Sequence, residues 1–224
     1  MIARFSTGSR ALNANHPEWW VGAVSGLAWC VLLASAWPGA GHAHHEMAPN
    51  YWQQFGHWML MMAAMMLPLI LESARIAAVR SFWWRRHRAI ALFVTGYLLV
   101  WLLLGIPVAL LPPSPLLAAA SLMVAAAWFL VPVKRRLRLG CHLTIPMEPS
   151  GWRADRDCIH FGWKIGVRCA GNCGVLMVAC AALGHVVIGM VLIAALTLLE
   201  RVRPLNAGAV AATLLITSVG IATL

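Results

Sequence analysis

The sequence predicts an all-α, polytopic transmembrane helix bundle of about seven spans, with six as the alternative, on three observations. Of its 224 residues 61% are hydrophobic and 11% charged, against about half and about a quarter in soluble domains. Apolar runs recur at lengths near the ~20 residues a helix needs to cross hydrocarbon. Basic residues fall in short blocks between those runs, as cytoplasmic loops do.

The spans read as Trp19–Trp37, Tyr51–Leu71, Ala89–Leu111, Pro115–Val133, Phe161–Leu183, His185–Leu199 and Leu205–Leu224. A six-span reading merges 174–199 into one tilted helix and leaves 161–173 as loop. With Arg4 and Arg10 inside, seven spans put the block Arg75–Arg88, the block Lys134–Arg156, and Arg201 with Arg203 on the same inner side, so seven is the preferred count. The expected location is a bacterial inner (cytoplasmic) membrane, multi-pass, with the N-terminus cytoplasmic. The basic start, apolar run and small-residue stretch Pro38–Ala43 also fit a secretory signal cut near His44; the expectation is a retained span. Twelve tryptophans, among them Trp19, Trp20, Trp37, Trp52, Trp83 and Trp84, suit interfacial anchoring.

No repeat or linker divides the chain, so a single membrane domain, 1–224, is expected, with an outer His-rich loop at 38–50 and an inner basic Cys/His loop at 134–160. The net charge of +10 sits in loops and forms no soluble basic face, which argues against a nucleic-acid partner. There is no phosphate-binding glycine loop, so an ATP-driven pump is excluded at the level of motifs. No catalytic residues are assigned, and the chain reads as a binding protein more than an enzyme. Six cysteines lying in or beside apolar spans are soft ligands or packing groups, not a disulfide framework.

Three segments carry donor atoms. The outer loop holds His42, His44, His45, Glu46 and Met47, a short His-rich tract of the kind that collects copper or zinc. The second span holds five methionines within Met59–Met66; His57, Met61 and Met65 share one helical stripe, and Met62 and Met66 the next. Thioethers are neutral soft ligands suited to Cu(I). The fifth carries Cys158 and His160 at its start, then Cys169, Cys173, Met177 and Cys180 along one face. Cys141 with His142 is a further adjacent pair. Close helix packing around Gly166, Gly171 and Gly174 is the competing explanation of the fifth segment. Glu72 and Glu200, beside Arg75 and Arg201, read as interfacial ion pairs.

The segment Trp58–Pro68, with its run Ala64, Met65, Met66, Leu67, Pro68, is similar to the hallmark of a bacterial family of predicted metal-binding integral membrane proteins of unknown function. So is the series Gly162, Gly166, Cys169, Gly171, Cys173, Leu176, Met177, followed by Gly184, Met190 and Glu200. The resemblance covers about Trp52–Pro204; this chain departs from it with Ile165, Asn172, Gly174 and His142 where the family usually has His, Cys, Trp and Cys. It implies a membrane topology and a bound metal, and supplies no activity.

The residues and the resemblance together point to copper(I) handling: capture by the outer loop, transfer along the methionine stripe, and holding at the cysteine face. Copper is the expected metal, with zinc or haem (through His57 and His185) behind it. The expected partners are the lipid bilayer, a copper enzyme or metallochaperone, and further subunits in a homo- or hetero-oligomer. A non-catalytic structural subunit of a membrane complex is the alternative, and a copper- or haem-dependent membrane oxidoreductase the second.

Overall fold

The computed structural model describes residues 16–35, 50–141, 144–184, 186–203 and 205–222. Among them the only regular structure is helical. The outer-loop candidates His42, His44, His45 and Met47, and also His142 and His185, lie outside the described residues.

Helix α1 (Trp19–Ser35) buries Val21, Ser25, Ala28 and Leu32, one stripe at steps of three and four. That stripe packs on α2 (Tyr51–Met66), and the Ser25 hydroxyl donates to the Ala64 carbonyl at 2.9 Å. Pro68, which lacks a backbone donor, ends α2; a 3₁₀ turn at Pro68–Ile70 leads into α3 (Leu71–Val79), and the two segments are bent by 42°. Helix α4 (Arg86–Val108) follows a second 3₁₀ turn at Trp83–Arg85. Next come α5 (Pro115–Leu130) and, across Val131 and an 83° bend, α6 (Pro132–Gly140). Helix α7 (Gly151–Ala182) is the longest at 32 residues. Gly184, in the left-handed region at φ 70°, turns the chain back into α8 (Val187–Val202), and α9 (Ala207–Ala222) packs on α5.

The principal interface joins α4 and α7, and glycine creates it. A Cβ on Gly96 would lie 2.1 Å from the Ile159 carbonyl oxygen, and one on Gly162 1.9 Å from that of Phe93. A Cβ on Gly166, one turn beyond Gly162, would lie 2.9 Å from Val100 Cγ2. The two backbones touch, a mode that small residues at i and i+4 permit. Cys169 and Cys173 continue the face of α7 that carries Gly162 and Gly166, because seven residues bring a helix nearly full circle twice.

The charged segments form two groups, one at the start of α7 and one where α6 crosses the middle of α7. Arg85 and Arg88 both pair with Asp155 near the start of α7, the latter at 2.7 Å, and Arg80 donates to the Ile145 carbonyl at 2.6 Å. Arg201 pairs with Glu72 at 3.5 Å, whereas Glu200 is buried against Lys134 and Arg138. The partners therefore differ from those that sequence adjacency suggests: both acids reach across helices.

The expected seven crossings are reduced. Among the described residues two helical stretches, Trp83–Val108 and Gly151–Ala182, are long and apolar enough to cross a membrane, or up to four if each bent pair counts as one span. The physical reasons are specific. Pro68 and the bend at Val131 divide two of the apolar runs. The described parts of α1 and α9, of 17 and 16 residues, and α8, of 16, reach roughly 24–26 Å at ~1.5 Å per residue, short of the ~30 Å hydrocarbon core. Residues 134–160, read as a loop, are helical over most of their length: α6 and the first turns of α7 occupy them.

The glycine contact predicts an asymmetric mutational response. Gly162→Ala or Gly96→Ala forces a methyl into backbone and should destabilise the chain by about 1–3 kcal/mol or more. Gly26→Ala meets nothing within 4 Å and should be neutral or stabilising by up to ~1 kcal/mol. Thermal unfolding of the detergent-purified variants checks both.

Candidate metal centre

The methionine end of α2 and the cysteine face of α7 meet. Cys169 Sγ lies 3.9 Å from Met66 Sδ, although the residues are 103 positions apart. From the opposite side the Tyr97 hydroxyl of α4 donates to Cys169 Sγ at 3.2 Å. Cys173, one turn on, faces Cys169 and interacts with it directly, and its own Sγ accepts from Asn172 Nδ2 at 3.3 Å. Cys169, Cys173, Met66 and Tyr97 are all buried, as are Met61, Met62, Met65, Met177, Cys180 and Met190 around them. None of the six cysteines is in a disulfide.

Each part of this pocket is positioned by local sequence. Trp58 donates from Nε1 to the Trp101 carbonyl at 3.0 Å, and its ring fills the space where a side chain on Gly105 would stand, so α2 docks on α4 in one register. The rings of Trp58, Trp101 and Tyr97 then form a row, with centroids 6.1 and 6.5 Å apart, that ends at Cys169. On the far side of α7, Trp128 of α5 donates to the Gly171 carbonyl at 2.9 Å. Arg168 donates to the Gly140 carbonyl at 2.9 Å, which fixes the end of α6 across α7.

The Lys134 ammonium, buried on α6, pairs with Glu200 Oε1 and stands 3.6 Å from the centre of the Phe129 ring. Arg138 approaches the same carboxylate oxygen at 3.6 Å. Glu200 Oε2 is buried without a hydrogen-bond partner among the described residues. The charges of Lys134 and Glu200 both bear on Cys173. Cys141, just past α6, gives its Sγ to the Leu137 carbonyl at 3.4 Å. Burial pushes its thiol up to about 11; Cys173 adds to this while Arg201 and Arg168 oppose it.

Other candidates stand apart. His57 is exposed near the start of α2, its Nδ1 2.9 Å from the Gln53 carbonyl oxygen, and nine residues of helix separate it from Met66. Cys158 is buried near Ser81 and Arg85, whereas His160 is exposed beside Arg156, Ile159 and Trp163. Two residues on a helix are about 200° apart, so these two cannot point at one ion. Neither joins the pocket of Cys169. Among the described residues no three His, Cys, Asp or Glu side chains converge as a metal site; the donor set brought together is two thiols and a thioether.

Tyr97, Lys134 and the role of Glu200 are absent from the sequence reading. Tyr97 had a usable signal, a phenol inside an apolar helix, where a hydroxyl needs a buried partner. Lys134 had none, because it sits in a run of basic residues that reads as solvated.

One family model, PpoB2, described as a copper chaperone, matches residues 55–223, a region that contains the whole sulfur pocket. No curated protein and no solved structure matches.

Thiol reactivity tests the burial pattern. Cys30 is exposed and the other five are buried, so a membrane-permeant maleimide should label one thiol per chain rapidly in the native protein and the rest only on denaturation. Rapid labelling of Cys169 or Cys173 contradicts the closed pocket.

Proposed function

The chain belongs to the PpoB2 copper chaperone family, and from that premise we propose that it is an integral membrane protein that holds Cu(I) between α2 and α7 and passes it to a partner cuproprotein. The single observation that carries this reading is the meeting of Met66, Cys169 and Cys173 in an otherwise apolar core.

The donor chemistry fits the cargo. Thiolate and thioether are soft ligands that favour Cu(I), whereas structural zinc asks for four N, S or O ligands in a tetrahedron. Two thiols a turn apart on one helix, with a thioether facing them, suit an ion that accepts low coordination. Low coordination also suits delivery, since an incoming ligand from a partner has room to attack. Tyr97 holds Cys169 in its rotamer and offers its O–H to the sulfur. The aromatic row and the buried methionines exclude water, which protects a thiolate site from oxidation.

The outer residues supply a route in this reading. His42, His44, His45 and Met47 collect the ion; Met61 and Met65, buried along α2, lead toward Met66 and the cysteines. Membrane residence is supported by what the helices turn outward: Leu27, Leu116, Ile188, Val202 and Ile216 are each at least 66% exposed, and apolar patches of that extent on soluble monomers are rare. The basic starts of α4 and α7, where Arg85 and Arg88 meet Asp155, face the cytoplasm, in keeping with the usual bias of Lys and Arg. Cys158 and His160 have no part in the metal site.

Anaerobic titration of the detergent-purified chain with Cu(I) tests the proposal. The expected result is about one Cu(I) per chain, lost in the Cys169→Ser, Cys173→Ser double variant. Met66→Leu, which keeps the volume but removes the thioether, should weaken binding by roughly tenfold, the leverage of ~1.4 kcal/mol. An unmutated chain that takes up no copper, or a double variant that binds as well as the parent, overturns the proposal.

A further inference from the structure

The outward stripe of α7 changes character along its length. Arg156, Ile159, His160, Trp163 and Val167 follow one another at steps of three, one, three and four, and all five are exposed. The first four line a groove of about 410 Å³, a volume within the ~300–1,000 Å³ range of small-ligand sites. Its polar atoms are left over from the fold. Of the acids near the start of α7, Asp155 is held by Arg85 and Arg88, Asp157 accepts from the Glu148 amide at 3.2 Å, and Glu148 pairs with Arg153 at 3.8 Å. Among the described residues Arg156, His160 and the Trp163 indole N–H have no ion pair or hydrogen bond. The lining of the groove thus offers one cation and two further donors, and no carboxylate.

Resting on the membrane reading above, we propose that this groove binds the headgroup of an anionic phospholipid from the cytoplasmic leaflet. At ~1.5 Å per residue the 32 residues of α7 run roughly 48 Å, about 15 Å more than a ~30 Å hydrocarbon core takes up even at a ~20° tilt. The surplus lies at the start of the helix, because all its charged residues fall within 153–168 and none follows. About ten residues, as far as His160, therefore stand among headgroups and water, and Trp163 meets the edge of the hydrocarbon, the depth that indoles favour. The chemistry suits each level. The Arg156 guanidinium presents a fork of donors to phosphate oxygens. The His160 ring carries an N–H donor in either protonation state. Trp163 offers its N–H toward an ester oxygen, and its ring, with Ile159 and Val167, gives an acyl chain apolar contact. With no carboxylate in the lining, a zwitterionic headgroup would leave its ammonium without an anion to meet.

Native mass spectrometry of the full chain, released from phosphatidylcholine vesicles that contain a minor fraction of phosphatidylglycerol, reads the retained lipid directly. The expected result is one phosphatidylglycerol per chain, selected over phosphatidylcholine. Arg156→Gln should lower its affinity by about tenfold, the leverage of one charge-assisted contact, and Trp163→Ala should lower it severalfold. Arg153→Gln removes the same charge from the same end of α7 but outside the groove, and should leave retention unchanged. Equal losses in Arg156→Gln and Arg153→Gln, the mark of diffuse attraction between a basic helix end and an anionic surface, overturn the inference. So does a parent that retains neither lipid or both alike, or a bound lipid that inorganic phosphate displaces, which would make the groove a site for the free anion. Each of these results leaves the membrane reading standing. A chain that incorporates into vesicles neither with nor without phosphatidylglycerol overturns that reading as well.

Discussion

The structure depends on the close crossing of α4 and α7. Gly96 and Gly162 let two backbones approach until a single added methyl would overlap a carbonyl oxygen, and Gly166 leaves room for the Val100 side chain. That approach fixes the rotation of α7 about its axis, and the rotation decides where Cys169 and Cys173 point. It also brings the Tyr97 hydroxyl to Cys169. In the membrane setting proposed for the chain there is no hydrophobic drive between helices, so association would rest on this kind of contact. The small residues around the cysteines and the cysteines themselves are therefore not competing explanations. The glycines build the interface and the sulfurs occupy its continuation.

A second constraint is the segregation of charge. Tyr97 and Asn172 donate to the two thiols, Lys134, Arg138 and Glu200 form a buried group between α6 and α8, and the pairs of Arg85 and Arg88 with Asp155 lie apart, near the start of α7. An unpaired buried charge would be neutralised or expelled. The cluster survives burial because Glu200 ties Lys134 to Arg138 and the Phe129 ring lies under the ammonium. The 83° bend at Val131 is what makes this possible, since it lays α6 across α7 with Leu137 against Gly171.

Much of the pocket could be read from helical periodicity. Met66 lies on a repeating stripe, and Cys169, Cys173 and Met177 recur every four residues; burial of all four follows that pattern. Periodicity fails where the partner is non-local. Nothing in the spacing links Met66 to Cys169 or Lys134 to Glu200, because each pair is joined only by the fold. It fails again for His57, which shares the Met61 and Met65 stripe yet is exposed near the helix start, beyond the packed part of α2. Cys158 and His160 are neighbours in sequence that a helix sends to opposite sides. Among the described residues fewer helices are long enough to cross than hydropathy counted, for a different reason: hydropathy sums over a window and does not register that the chain bends at Pro68 and Val131, or that α8 stops at 16 residues.

The central claim is that sulfur alone, from α2 and α7, holds the ion. X-ray absorption at the copper edge of the Cu(I)-loaded, unmutated chain tests it most directly. The account predicts a first shell of sulfur at low coordination number, with no imidazole scattering. A shell dominated by nitrogen or oxygen would place the copper on histidines instead and contradict it.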